Sequence, residues 1–198
     1  MKRSIYILLI LFLLMLGSCG SDNGFTPPNK EAQDLVDEGW EKFGYKGYQN
    51  ALLKFEEAIE KDETFTDAYN GAAWACARIP RLQNAANYFS QCLNIDNNYV
   101  DAHAGLAFVY NAQKSYANSN TAATTALNKD PDWAFSHDVT VDYKDLQLLM
   151  AVNYYALGDL NSSLMKVKIL NPLFNADVTS FEGKQALANE IERLGGSI

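Results

Sequence analysis

The chain has 198 residues, of which 48% are hydrophobic and 20% are charged. This balance is typical of a globular protein and argues against an intrinsically disordered chain. The formal net charge is −8 at pH 7. Because phosphate backbones repel an acidic surface, the composition also argues against nucleic acid as a partner.

The N-terminus has the pattern of an export signal. Lys2 and Arg3 precede an apolar run over residues 5–16, which is too short for a comfortable transmembrane span. The run leads into Leu-Gly-Ser-Cys, ending at Cys19. This motif resembles the lipobox of bacterial lipoproteins. The resemblance implies a signal peptide over residues 1–18 and palmitate or similar acyl chains on the cysteine. An ordinary signal peptide or a single membrane anchor is the alternative.

Removal of the signal peptide would leave an acidic domain on a lipid anchor. The 16 basic residues would fall to 14 against 24 acidic ones, a net charge of −10. Residues 19–29 are polar and rich in Gly, Pro and Asn, which predicts a flexible tether. In enterobacterial lipoproteins an Asp directly after the cysteine favours the inner membrane. Gly20 holds that place here, so the outer membrane is favoured.

The rest of the chain repeats at an interval of 34 residues, most clearly in the second helix of each predicted unit. The matching triplets are Ala51, Ala85 and Ser119; Phe55, Phe89 and Ala123; Ala58, Cys92 and Ala126; Ile59, Leu93 and Leu127; and Asp62, Asp96 and Asp130. Small residues let two antiparallel helices approach closely. We therefore expect Gly39, Ala73 and Ala107 to face Ala51, Ala85 and Ser119 within three hairpins. One hairpin cannot bury its apolar face alone, so the hairpins should stack.

This pattern resembles the tetratricopeptide repeat. The small pair in each hairpin, the large residue early in the second helix and the Asp130-Pro131 ending carry the resemblance. Units one to three cover residues 32–65, 66–99 and 100–133. The resemblance implies an all-α fold, a superhelix of about four helical hairpins with a C-terminal capping helix.

A fourth hairpin is predicted over residues 144–172, with Ala151 and Ser163 as its facing pair. The interval from Ser119 to Ser163 is 44 residues instead of 34, so about ten residues, the insert 134–143, separate this hairpin from the third.

A final helix is predicted over residues 180–194, where it would shield the last hairpin. Thr179 and Glu182 have the spacing of a capping box at its start. Residues 30–198 are thus expected to form one repeat domain.

The first helices of tetratricopeptide stacks line a concave groove, and the resemblance places the residue after each small residue on that side. Trp40, Trp74 and Phe108 hold this place at intervals of 34 residues. The predicted partner-binding residues are Trp40, Phe43, Asn70, Trp74, Arg78, Phe108, Asn111, Val152 and Tyr155. Such an aromatic row could hold an apolar segment, a partner helix or sugar rings. Alternatively, the insert or the terminal helix folds into the groove, because exposed aromatic patches are costly.

No catalytic constellation, phosphate-binding loop or cofactor motif is found. His103 is expected to be a packed or half-buried residue. His137-Asp138 has further Asp residues nearby, but no ligand spacing indicates a metal site. Cys76 and Cys92 are interpreted as buried small hydrophobic residues.

The sequence therefore predicts a non-enzymatic scaffold, lipid-anchored at the bacterial cell envelope, on the periplasmic side with the outer membrane favoured. Its partner would be a protein or peptide, in the assembly of an envelope complex. The alternative is a glycan-binding lipoprotein that uses the aromatic groove. A hydrolase that depends on His137 or Asp138 is a more distant alternative.

Overall fold

The computed structural model of the chain describes residues 29–196, so Cys19, the signal segment and most of the tether lie outside the described residues. Within this range the regular elements are nine helices, in agreement with the predicted all-α class. They are α1 (Lys30–Gly44), α2 (Tyr48–Lys61), α3 (Thr66–Arg78), α4 (Leu82–Ile95), α5 (Val100–Ala112), α6 (Tyr116–Lys129), α7 (Tyr143–Ala156), α8 (Leu160–Leu170) and α9 (Phe181–Gly195). None of these helices is long and apolar enough to cross a membrane.

The helices pack as consecutive antiparallel hairpins, α1–α2, α3–α4, α5–α6 and α7–α8, and α9 lies against α7 and α8. The first helices α1, α3, α5 and α7 also contact one another in sequence. Within the described residues, the second helices α2, α4, α6 and α8 do not contact one another. Each contacts only the helix before it and the helix after it in the chain. The first helices are therefore closer together, which places them on the concave side of a curved stack.

Large rings from the second helices fill the space between hairpins. Phe55 is fully buried against Gly39 of its own hairpin, where a Cβ would lie 2.6 Å from the ring, and against Gly71 of the next hairpin. Phe89 occupies the same position against Gly105. No side chain larger than hydrogen fits at these three glycines without displacing a phenylalanine ring.

The third and fourth hairpins meet differently. Ala123 stands where the earlier units have phenylalanine, and Leu149, on α7, packs against the same core cluster. Ser119 donates its hydroxyl to the carbonyl of Ala107 at 2.7 Å, and Ser163 donates to Ala151 at 2.8 Å. These bonds confirm the predicted facing pairs in both hairpins.

The recurring aspartates end the second helices. Asp62, Asp96 and Asp130 are the C-caps of α2, α4 and α6, and each accepts the N–H of the residue two positions later, at 2.9, 2.8 and 3.1 Å. This local bond stops each helix and turns the chain into the next hairpin.

The predicted capping box at α9 is wrong. Ser180 is the N-cap, and its hydroxyl accepts the N–H of Gly183 at 3.0 Å. Thr179 instead donates to the Asp177 carboxylate at 2.6 Å. The chain enters the helix one residue later than the motif suggested.

Candidate functional site

The insert 134–143 lies in the groove and covers part of the aromatic row. Phe135 is fully buried, and its ring stacks on Trp74 with centroids 4.2 Å apart and planes 22° apart. Its centroid also lies 6.0 Å from Trp40 and 6.2 Å from Phe43, both in edge contacts. Trp40 and Trp74 are only 9% and 4% exposed. Of the alternatives open from the sequence, the structure shows internal cover for these rings.

Two further contacts fix the insert to the first helices. The His137 ring stacks on Trp40 at 3.5 Å and 3°. Burial lowers the pKa of His137, opposed by the charge of Asp67, so the neutral ring is favoured. The Arg78 guanidinium, at the end of α3, pairs with Asp138 at 2.7 Å.

The insert is a closed loop with its own hydrogen bonds. Ala134 and Asp142 form an isolated antiparallel bridge, and the N–H of Phe135 donates to the carbonyl of Val141 at 2.9 Å. The Asp142 carboxylate caps α7 and the Asp145 carboxylate accepts the N–H of Asp142 at 2.8 Å, a reciprocal capping box. The ends of the loop are thus held together at the start of the fourth hairpin.

Sequence reasoning missed a second aromatic row. Tyr99 donates its hydroxyl to Asp67 at 2.7 Å, and Trp133 donates its Nε1–H to Asp101 at 2.6 Å. Phe65, Tyr99 and Trp133 recur at intervals of 34 residues, as do Asp67 and Asp101, so the same self-comparison could have found both rows. Trp133 is 2% exposed and immediately precedes the insert. Its hydrogen bond to Asp101 therefore fixes the point where the insert leaves the third hairpin.

Beyond the insert, a pocket of about 290 Å³ remains open on the same concave face. We call it the α3–α5 pocket. It is lined by Trp74, Ala77, Arg78, Leu82, Phe108, Val109, Ala112, Val141 and Asp145. Its walls are mostly apolar, and its arginine and aspartate already have partners in Asp138 and the α7 capping box. The pocket therefore suits an apolar side chain better than a charged one.

The other predicted groove residues lie on the first helices α3, α5 and α7. Asn111 donates to Asn153 at 2.7 Å, and Tyr155 is half-buried against the C-terminal cluster. Val152 is 38% exposed. Asn70 is fully buried, and neither atom of its amide has a hydrogen-bond partner among the described residues. Contact of these residues with a partner stays a prediction.

The candidate acid–base and metal residues have structural contacts. His103 Nε2 lies 3.0 Å from the carbonyl of Asn97. No group of three or more His, Cys, Asp or Glu side chains that could hold a metal is found among residues 29–196. Cys76 and Cys92 are free and buried, and burial raises the pKa of both thiols, that of Cys76 to about 11.

No protein-family model matches the chain. No curated protein matches it by sequence.

Solved structures of similar shape were found. A crystal structure of MamA aligns over 85% of this chain and 82% of its own, with 14% identity and a TM-score of 0.61. TTC0263, a thermophilic TPR protein in Thermus thermophilus, aligns over 83% of each chain, with 16% identity and a TM-score of 0.58. The first TPR of Spaghetti (RPAP3), bound to the HSP90 peptide SRMEEVD, aligns over 65% of this chain and 94% of its own, with 14% identity and a TM-score of 0.57.

These likenesses, together with the hairpin packing, confirm the predicted fold: the described chain is a tetratricopeptide-type superhelix. At such identities the likeness concerns the fold alone.

Proposed function

We propose that this chain is a lipid-anchored scaffold that holds a protein or peptide partner at the bacterial cell envelope. The partner would bind at the α3–α5 pocket. One observation carries the proposal: the concave face already holds a non-helical segment, the insert, through the buried ring of Phe135, and it leaves an apolar pocket open beside that segment.

The pocket continues the surface that the insert occupies. Trp74 contacts Phe135 on the insert side and also lines the pocket, and its centroid lies 6.2 Å from that of Phe108. A partner segment that placed a large apolar side chain beside these rings would gain the same kind of contact. The structurally similar Spaghetti domain is bound to a peptide, which supports a peptide as the class of partner.

The covered rings do not support the glycan alternative. Sugar stacking needs an accessible ring face, and Trp40 and Trp74 are 9% and 4% exposed. We therefore propose no second function.

The pocket is tested by two matched substitutions. Ala112 and Ala156 end α5 and α7, both are exposed, and only Ala112 lines the pocket. Ala112→Trp should fill the pocket, while Ala156→Trp adds the same ring elsewhere. In pull-downs from detergent-solubilised envelopes, we expect the unaltered chain and Ala156→Trp to retain the same partners and Ala112→Trp to lose them. Equal retention by both variants would count against the pocket as the binding site.

The anchor is tested separately at Cys19. Cys19→Ser should abolish incorporation of labelled palmitate. Cys92→Ser, a change at a buried thiol, serves as the control and should leave labelling intact. Palmitate incorporation into Cys19→Ser would disprove the lipobox interpretation and would leave the pocket result unaffected.

A further inference from the structure

The outer face of α8 bears apolar side chains that the fold leaves uncovered. Met165 and Ile169 are 61% and 51% exposed, and Leu173, just beyond the helix, is 95% exposed. At about 100° per residue, Met165 and Ile169 lie about 40° apart around the helix, on successive turns. They therefore form a single stripe. Exposed apolar residues gathered in this way indicate a contact surface.

The charge around this stripe is locally positive, as it is in two longer stretches without acidic residues, 68–95 and 102–129. Between Asp159 and Asp177 the sequence contains Lys166 and Lys168 and no acidic residue, in a chain with 24 acidic residues. From Met165, Lys166 lies about 100° to one side and Lys168 about 60° to the other. The stripe thus has one lysine on each flank, of which Lys168 is exposed and Lys166 is half-buried.

Neither lysine forms a salt bridge with another of the described residues. We call Met165, Lys166, Lys168, Ile169 and Leu173 the α8 patch.

We propose that the α8 patch rests on a membrane surface that carries anionic lipid headgroups. Apolar side chains of this size enter the boundary between headgroups and acyl chains, while flanking lysines extend to the phosphates. Each lysine near an anionic surface adds an electrostatic attraction. Lysine is depleted in protein–protein interfaces, so a lysine-flanked stripe fits a lipid surface better than a protein.

The rest of the molecule would orient this contact. The chain carries a net charge of −8, and anionic lipids repel an acidic surface. Within residues 29–196, the stretch 160–176 combines two lysines and no acidic residue with the exposed side chains of Met165, Ile169 and Leu173. The proposal does not depend on the partner site, because the α8 patch and the α3–α5 pocket share no residue.

Fluorescence quenching by brominated lipid measures this contact on the full chain. Leu173→Trp places an indole three residues beyond the end of α8, and Tyr45→Trp places one at a site that is 81% exposed in the first hairpin. The native tryptophans are at most 9% exposed and supply a constant background. Every variant is reconstituted into vesicles through the same N-terminal segment, so differences in quenching report the orientation of the domain.

We expect strong quenching of Leu173→Trp, and little of Tyr45→Trp, in vesicles of phosphatidylcholine mixed with phosphatidylglycerol. In phosphatidylcholine alone, quenching of Leu173→Trp should fall. Adding Lys166→Glu and Lys168→Glu should reduce the quenching of Leu173→Trp about tenfold or more, because each charge reversal replaces an attraction to the lipid with a repulsion. Lys46→Glu with Lys114→Glu makes the same charge change at two exposed turn residues that share a φ of 61°. This control should leave quenching unchanged.

Equal quenching of Leu173→Trp and Tyr45→Trp would overturn the proposal, as would equal quenching in the two kinds of vesicle. Self-association of the unaltered chain in detergent that is lost in an Ile169→Asp variant would assign the patch to a second copy instead. Circular dichroism of each variant checks that the helices are intact.

Discussion

Two buried asparagines differ in whether their amide groups form hydrogen bonds. Asn153 is fully buried, and its amide donates to Ser119 at 2.8 Å and to Asn120 at 2.9 Å and accepts from Asn111 at 2.7 Å. Asn70 is equally buried, but its amide has no partner among residues 29–196. A buried amide without hydrogen bonds loses its hydration and gains nothing in return.

Replacing each asparagine by leucine should therefore change stability in opposite directions. We expect Asn70→Leu to raise the free energy of unfolding by about 1–3 kcal/mol, because an unpaired amide is removed from the core. Asn153→Leu should lower it by about 2 kcal/mol or more, because it leaves the groups of Ser119, Asn120 and Asn111 unpaired. Urea denaturation of both variants measures the difference. Destabilisation by Asn70→Leu would contradict this expectation.

At the scale of elements, the 34-residue repeat predicted which residues line the groove but did not decide which segment covers them. Trp40, Trp74 and Phe108 could be aligned because the hairpins repeat, and the first helices of repeats line one face. The insert has no period, and its place depends on contacts with residues far away in sequence, such as Asp138 with Arg78. Nothing local in Phe135 distinguishes a ring that plugs the groove from one that is exposed.

The insert should consequently behave as part of the core. Phe135 is fully buried and Val139, on the same loop, is 76% exposed. We expect Phe135→Ala to lower the free energy of unfolding by about 3–5 kcal/mol, since it leaves a cavity between Trp40 and Trp74. Val139→Ala should change it by less than about 0.5 kcal/mol. Urea midpoints test both values.

Iodide quenching tests the same element without unfolding the chain. Loss of the Phe135 ring should expose the indole of Trp74. Iodide should therefore quench the tryptophan fluorescence of Phe135→Ala more strongly than that of Val139→Ala. Equal quenching and equal stability of the two variants would show that the insert is not a fixed cover of the groove.

At the scale of the whole molecule, the repeat period was enough to predict the class of fold, because each hairpin buries its apolar face against its neighbours. The junction of the third and fourth hairpins was harder to foresee. There Ala123 replaces the large ring and a chain of polar side chains joins Asn111, Asn153, Ser119 and Asn120. Hydrogen bonds between side chains from different helices follow from the three-dimensional packing and leave no period in the sequence.

The buried residues form two unequal clusters that meet at α7. The larger extends from Ala32 on α1 to Met150 on α7, and the smaller joins Ala151 and Val167 with Val178, Leu187 and Leu194. The stability of a stack is approximately the sum of the hairpins and their interfaces, so the part with fewer buried contacts opens first. We therefore expect the amides of α8 and α9 to exchange with solvent at a lower free energy of opening than those of α3 and α4.

Hydrogen–deuterium exchange followed by mass spectrometry measures this difference directly. Leu187→Ala, in the smaller cluster, should speed exchange in α8 and α9 and leave α3 and α4 unchanged, because the larger cluster does not contain it. Phe89→Ala, in the larger cluster, should speed exchange in α3 and α4 as well, since Phe89 packs between α3, α4 and α5. If Leu187→Ala sped exchange equally in every helix, the described chain would unfold as one cooperative unit, and the two clusters would have no separate energetic meaning.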